Sequence, residues 1–167
     1  MATEIFLNLN DKAITGESIR DGHTDEIDVV SFSFDVHHVG QKEGTGEKMT
    51  HGKAEFGDVQ IAKHVDKASP KLMEACAAGT HYTKAVLTMR STSSNTDKVD
   101  FYVVSFGDLI ISSFNNSGAS ENDQLVEHIT ISYSRVNFKY TVQKKDGTSG
   151  GSVEGKWNVK TNKNAFE

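Results

Sequence analysis

The stretch LVEHITISYSRVNFKYTVQ, from Leu125 to Gln143, decides the fold. Ile129, Ile131 and Tyr133 share one parity, whereas Val136, Phe138, Tyr140 and Val142 share the other. Alternation at period two marks a strand with one buried face. A change of parity inside such a run calls for a bulge or for passage from one sheet to another. The stretch therefore reads as one long bent strand serving two sheets of a barrel-like domain.

The same alternation recurs on both sides of it. Ile5, Leu7 and Leu9 alternate near the start, and from Ile27 to Val36 the pattern sharpens. There Val30, Phe32, Phe34 and Val36 fall on one side, with Ser31, Ser33 and Asp35 on the other. Further strands are expected over 55–63, 82–90, 99–106, 109–114 and 153–159. One helix is signalled. Ser69 reads as an N-cap, Pro70 sits where its missing N–H costs nothing, and Gly79 supplies a left-handed stop. Leu72, Met73 and Cys76 then form its apolar stripe. The fold class is mainly β, a two-sheet barrel with one short helix packed on its side. Gly- or Ser-rich connections fall between Gly40 and Gly52 and over 91–97, 115–123 and 146–152, none of them biased enough to be an interdomain linker.

Composition bounds the function. The chain has 167 residues, 36% of them hydrophobic and 25% charged, which fits a single domain over 1–167 and excludes a collagen-like or disordered chain. Lys and Arg number 18 against 23 Asp and Glu, a formal charge of −5 without a basic cluster, so nucleic-acid binding is not expected. No apolar run approaches the roughly 18–20 residues that span a bilayer. The start, MATEIFLNLND, lacks the basic and apolar regions of a cleavable leader, and a protein made in the cytoplasm is expected.

The chemical motifs are few. Seven histidines (His23, His37, His38, His51, His64, His81 and His128) include no HExxH or His-x-His spacing, and the lone Cys76 excludes a disulfide framework. Adjacent His37 and His38 on a strand point to opposite faces. The other histidines read as solvated groups in loops and strand ends. Cys76 lies past the first turn of the expected helix, where burial as a small hydrophobe is the plain reading. No G-x-S-x-G elbow is present, Gly44 and Gly46 lead into no helix, and Asp25, Glu26 and Asp28 read as a solvated strand start. Trp157 reads as a core or interface anchor. No catalytic, cofactor or metal residue is assigned, and an enzyme is not expected.

Several segments together resemble a known family. EIFLNLND followed by GES, EIDVVSFSF, IAKHVDKASPKLMEACAAG and ISSFNNSG followed by LVEHITISYSRVNFKY are similar in order and spacing to the Hcp family, the haemolysin-coregulated tube proteins of bacterial type VI secretion. The likeness runs from about Thr3 to Lys163, and the piece from Asp66 to Gly79 is its most specific part. It implies a homohexameric ring that stacks into a hollow tube inside a contractile sheath. The tube would be tipped by a VgrG-type spike, would carry small effectors in its lumen and would be ejected without a cleaved signal. A closed head-to-tail ring also covers sheet edges that otherwise invite uncontrolled pairing.

On this basis Ser31, Ser33 and Asp35 are expected to face the lumen, although solvation on the outer surface accounts for the same alternation. The stretch from Gly40 to Gly52 corresponds to the family's extended loop, with Gln41, Lys42, Glu47, Lys48 and Met49 as expected ring-stacking contacts. Some relatives carry a fused C-terminal toxin domain. Here only residues 161–167 follow the last expected strand, so a plain tube subunit is expected. A monomeric β-barrel binding module for a carbohydrate or peptide is the alternative.

Overall fold

The long bent strand is β9, Val126–Gln143, and from Val126 to Tyr140 it pairs with β8, Val99–Ser117. Glu127, Ile129 and Ile131 point inward in its first part, and Val136 in its second. β8 changes parity at the same level, from Val104 and Phe106 to Leu109 and Ile111. The hinge of both strands is Asp108, which takes a left-handed φ of 47° between the Gly107↔Arg135 and Leu109↔Tyr133 pairs. A Cβ at Gly107 would stand 2.8 Å from Nε of Arg135, so glycine leaves room for that side chain at the bend. Beyond it, β9 exchanges its second neighbour. β6, Val59–His64, pairs with residues 126–131, and β10, Ser149–Asn158, pairs with residues 135–143.

This computed structural model describes residues 3–10, 13–41, 50–92, 98–119, 124–144 and 149–167. β1 is Thr3–Leu9 and β7 is His81–Ser91, and the strands follow the order β1, β7, β8, β9, β6 in one curled sheet. The segment 27–33 closes the curl. Its β2, Ile27–Asp28, pairs with β1, and its β3, Ser31–Ser33, pairs with β6. Between them Val29 donates its N–H to Ile5 O at 2.9 Å and Val30 donates to Ala62 O at 2.8 Å. β4, Val36–Gln41, and β5, Thr50–Phe56, form the second, two-stranded sheet.

The single strand expected from Ile27 to Val36 is thus three short ones. A segment that hands its hydrogen bonds from β1 to β6 cannot keep one face throughout. Phe32 and Phe34 pack on the core as expected, whereas Val30 and Val36 are half exposed and Val29 is buried instead. The strand expected over 55–63 is likewise split, between β5 and β6, at Gly57 and Asp58.

α1, Ser69–Ala78, stops where expected. Gly79 takes φ 61° and donates its N–H to the carbonyls of Ala75 and Cys76. Its start differs. Ser69 is the first helical residue, and the cap position is Ala68, which has no side-chain bond to offer. Asp66 serves the turn instead, its Oδ1 accepting the Ala68 N–H at 2.9 Å, while Ser69 Oγ accepts the Asp66 N–H at 3.0 Å. Leu72 and Ala75 face the core with Cys76 partly buried beside them, but Met73 is exposed and lies off the stripe. The core itself runs through the barrel from Leu7, Leu9 and Ile27 to Leu87, Phe106, Ile111 and Ile131.

Candidate functional site

The outward side of β3, β6, β9 and the distal part of β8 forms one polar surface. Strand register sets its rows. Ser31 lies opposite Ala62, Ala62 opposite His128, and His128 opposite Asn115. In the next row Ser33 meets Gln60, Gln60 meets Thr130, and Thr130 meets Ser113. None of these eight positions is buried, while the residues between them, Phe32, Ile61, Ile129 and Phe114, turn to the core. The two rows carry hydroxyls, amides, one methyl and one imidazole, and no carboxylate, ammonium or guanidinium. Such a surface is hydrated without fixing a charged group.

Beneath it lies a buried ion cluster that holds these strands and the helix together. The side chains of Lys63 and Glu127 are both 0% exposed, and Nζ stands 2.7 Å from Oε1 across the β6–β9 pair. Lys63 also donates to Asp66 Oδ1 and to the His64 carbonyl, each at 2.7 Å. Ser69 Oγ donates to Glu127 Oε1 at 2.7 Å, and Asn116 Nδ2 donates to Oε2 at 3.3 Å. One cation thereby meets two carboxylates with their oxygens hydrogen-bonded, the condition under which buried charge is tolerated.

Ser31 and Ser33 belong to this polar face. Asp35 lies past β3 in the link to β4, where its Oδ2 faces Nδ1 of exposed His37 at 3.0 Å, and Nε2 of the same ring faces Glu55 at 3.2 Å. Gln60, Ala62, Thr130, His128, Ser113 and Asn115 complete the face and went unassigned in the sequence, although the alternation of VQIAKH at 59–64 signals Gln60 and Ala62. Of the expected stacking residues, Gln41 ends β4 opposite Thr50, and Lys42, Glu47, Lys48 and Met49 lie outside the described residues.

A second surface is apolar. Tyr140 and Val142 on β9 and Val153 on β10 are exposed large hydrophobics, Val153 at 69%, and Val153 lies directly opposite Tyr140. Phe101 joins them edge-on to Tyr140. Among the described residues β10 pairs with β9 and is bridged at Asn158 by Lys163, leaving the rest of its other edge open.

The titratable groups elsewhere are structural. His23 is buried rather than solvated. It stacks on Phe6 at 4.3 Å, with Nδ1 2.7 Å from Glu26 and Nε2 3.3 Å from Asp100. Glu26 is therefore also buried, contrary to the expected solvated strand start. Burial pushes the Tyr133 hydroxyl up to about 12, helped by nearby Asp58 and Asp35, and its oxygen has no hydrogen-bond partner among the described residues. Burial likewise raises Asp28, opposed by a hydrogen bond from Ser18. Among the described residues no group of three or more His, Cys, Asp or Glu is placed to hold a metal ion.

Residues 6–140 match the family described as "Type VI secretion system effector, Hcp". The chain is 32% identical over 163 residues to the protein hcp1 of Pseudomonas aeruginosa, covering 97% of this chain and 98% of that one. Among solved structures, a type six secretion system protein superposes with a TM-score of 0.90 at 27% identity, covering 97% of this chain and 99% of the other. Hcp1 from Salmonella typhimurium does so with a TM-score of 0.79 at 30% identity, covering 99% of this chain and 100% of its own.

Proposed function

The chain belongs to the Hcp family of type VI secretion tube and effector proteins, and from that premise we propose that six copies close into a ring whose lumen is walled by the polar face of β3, β6, β8 and β9. Proteins of this family are secreted and assemble as rings and tubes. The observation that carries the reading is the absence of fixed charge from the two rows, Ser31 to Asn115 and Ser33 to Ser113. A conduit for effectors of differing charge needs a wall of this kind, because a fixed charge of either sign would hold one class and repel the other.

The open edge of β10 and the apolar group of Tyr140, Val142 and Val153 supply one side of a head-to-tail contact. A ring is the closed solution for such a contact, and it leaves no edge exposed. The arm built on β4 and β5 stacks one ring on the next through Gln41, Lys42, Glu47, Lys48 and Met49. A VgrG-type spike caps the resulting tube, a contractile sheath drives it, and small effectors ride inside after synthesis of the subunit in the cytoplasm. The subunit works as conduit and carrier, without catalysis.

Size exclusion with light scattering tests the ring. Six copies of the 18.3 kDa chain weigh about 110 kDa. A strict monomer at high concentration, with no rings in negative stain, overturns the proposal and favours a monomeric binding module. Deletion of residues 42–49 is expected to abolish tubes and spare rings, and normal tubes after deletion remove the stacking role.

A further inference from the structure

A head-to-tail contact joins two different patches of one chain, so the apolar group on β9 and β10 needs a receiving surface elsewhere on the subunit. Exposed aliphatic side chains gather beside a cavity near the start of β9. There a groove of about 370 Å3 is lined by Asp28 to Val30, His64 to Asp66, Glu17 and Gln124. Val30 and Val65 in its lining are 52% and 41% exposed. Leu125, next to Gln124, is 42% exposed, and its carbonyl accepts the Val65 N–H at 3.0 Å.

Three carboxylates line the same groove, and the cations around them are engaged elsewhere. Lys67 donates its backbone N–H to Glu17 Oε1 at 3.0 Å but turns its ammonium to Asp25 at 3.2 Å. Arg20 is bound to Glu4 at 2.8 Å, and Lys63, which holds Asp66, is buried against Glu127. Burial raises Asp28 above its ordinary value, against the Ser18 bond and the Arg20 charge, and the Asp66 charge adds to the rise. The groove therefore offers aliphatic side chains and an excess of negative charge together.

The apolar face on β9 and β10 is its complement. Tyr140, Val142 and Val153 are exposed. Lys144, two residues past Val142, is also exposed and makes no ion pair among the described residues. A lysine packs its stem on aliphatic surface while its ammonium reaches a carboxylate.

We propose that this groove receives the Tyr140–Lys144 end of β9 from a second copy, with Tyr140 and Val142 on Val30, Val65 and Leu125 and the Lys144 ammonium among Glu17, Asp28 and Asp66. The pairing rests on the ring reading and supplies the half of the contact that the reading leaves open. Each subunit then gives one face and accepts one, so a single contact repeats around the ring and closes. Charge fixes its direction, since groove against groove, or lysine against lysine, repels.

Light scattering against protein concentration reads the contact, with circular dichroism as the check on folding. Val65→Glu is expected to give the 18.3 kDa subunit where wild type gives about 110 kDa. Asp28→Lys and Lys144→Glu are each expected to raise the concentration of half-assembly at least about tenfold, because like charges then meet across the contact. The double variant restores the attraction and is expected within about threefold of wild type. Rings of full mass in Val65→Glu, or a double variant no better than the worse single one, overturn the groove and leave the ring reading standing. A wild type that stays monomeric at high concentration overturns the ring reading, and this pairing with it. If Val65→Glu fails to fold, the charge-reversal set decides alone, since Asp28 and Lys144 are both exposed.

Discussion

Replacing Lys63 with methionine removes the one cation of the buried cluster and keeps most of its volume. Two carboxylates then remain around Ser69, Glu127 at 0% exposure and Asp66 at 11%, with no positive partner. At an effective dielectric of about 20, unit charges 2.7 Å apart attract by about 6 kcal/mol, and desolvation of both partners offsets much of that gain. Breaking a buried pair from one side costs about 3–5 kcal/mol, because the remaining charge stays buried. Against a total stability of about 5–15 kcal/mol this is a large share. For a chain of this size it lowers Tm by about 6–20 °C.

Glu127→Gln should cost less. It leaves Lys63 paired with Asp66 at 2.7 Å and retains an oxygen to accept from Lys63 and Ser69. The double variant Lys63→Met, Glu127→Leu should recover much of the loss, since a well-packed apolar pair is close to neutral against the ion pair. Urea and thermal denaturation followed by circular dichroism give the three values and their coupling. A cost below about 1 kcal/mol for Lys63→Met, or a double variant as unstable as the single, refutes the assignment of the cluster as the pin between β6, β9 and α1.

Tyr133→Phe should raise stability at neutral pH by up to about 1 kcal/mol, since it removes a buried hydroxyl without a partner. It should also flatten the alkaline limb. A tyrosine held at about 12 in the fold and near 10 unfolded contributes stability that is present below pH 10 and lost as pH rises toward 12, so the gap between variant and wild type widens over that range in alkaline denaturation. Gly16→Ala places a Cβ against the Glu26 carbonyl oxygen and 2.5 Å from Ile27 Cα, both backbone atoms, and should cost about 1–3 kcal/mol in urea denaturation. Val153→Glu, on the open edge strand, should leave the circular dichroism spectrum unchanged and shift light scattering from about 110 kDa toward the 18.3 kDa subunit. Ser33→Trp should leave rings intact and reduce effector retention in pull-down, and undiminished retention removes Ser33 from the wall.

Much of the barrel was legible because a strand with one buried face writes its period into the chain. Local alternation placed Ile129, Ile131 and Val136 inward and signalled the bend in β9, since a parity change within one run has few structural solutions. Gly79 marked the helix end because a left-handed stop excludes most side chains. Ser31 and Ser33 were likewise marked by alternation against Phe32.

What alternation cannot carry is the identity of a strand's neighbours. The hand-over of residues 27–33 from β1 to β6 rests on two backbone bonds, from Val29 to Ile5 and from Val30 to Ala62, and those follow from closure of the sheet. Val30 shows the consequence, since it continues the apolar parity of Phe32 and Phe34 yet is half exposed, while Val29 is buried instead. The burial of Lys63, His23 and Glu26 was equally hidden. A charged or titratable side chain reads as solvated until its partner arrives, and Glu127 and Asp100 arrive from 64 and 77 residues away. The sequence by itself determined the apolar side of the long regular strands, because that depends on neighbours along the chain. The tertiary structure alone decided which polar residues share a wall and which charges are buried, because both depend on register between distant strands.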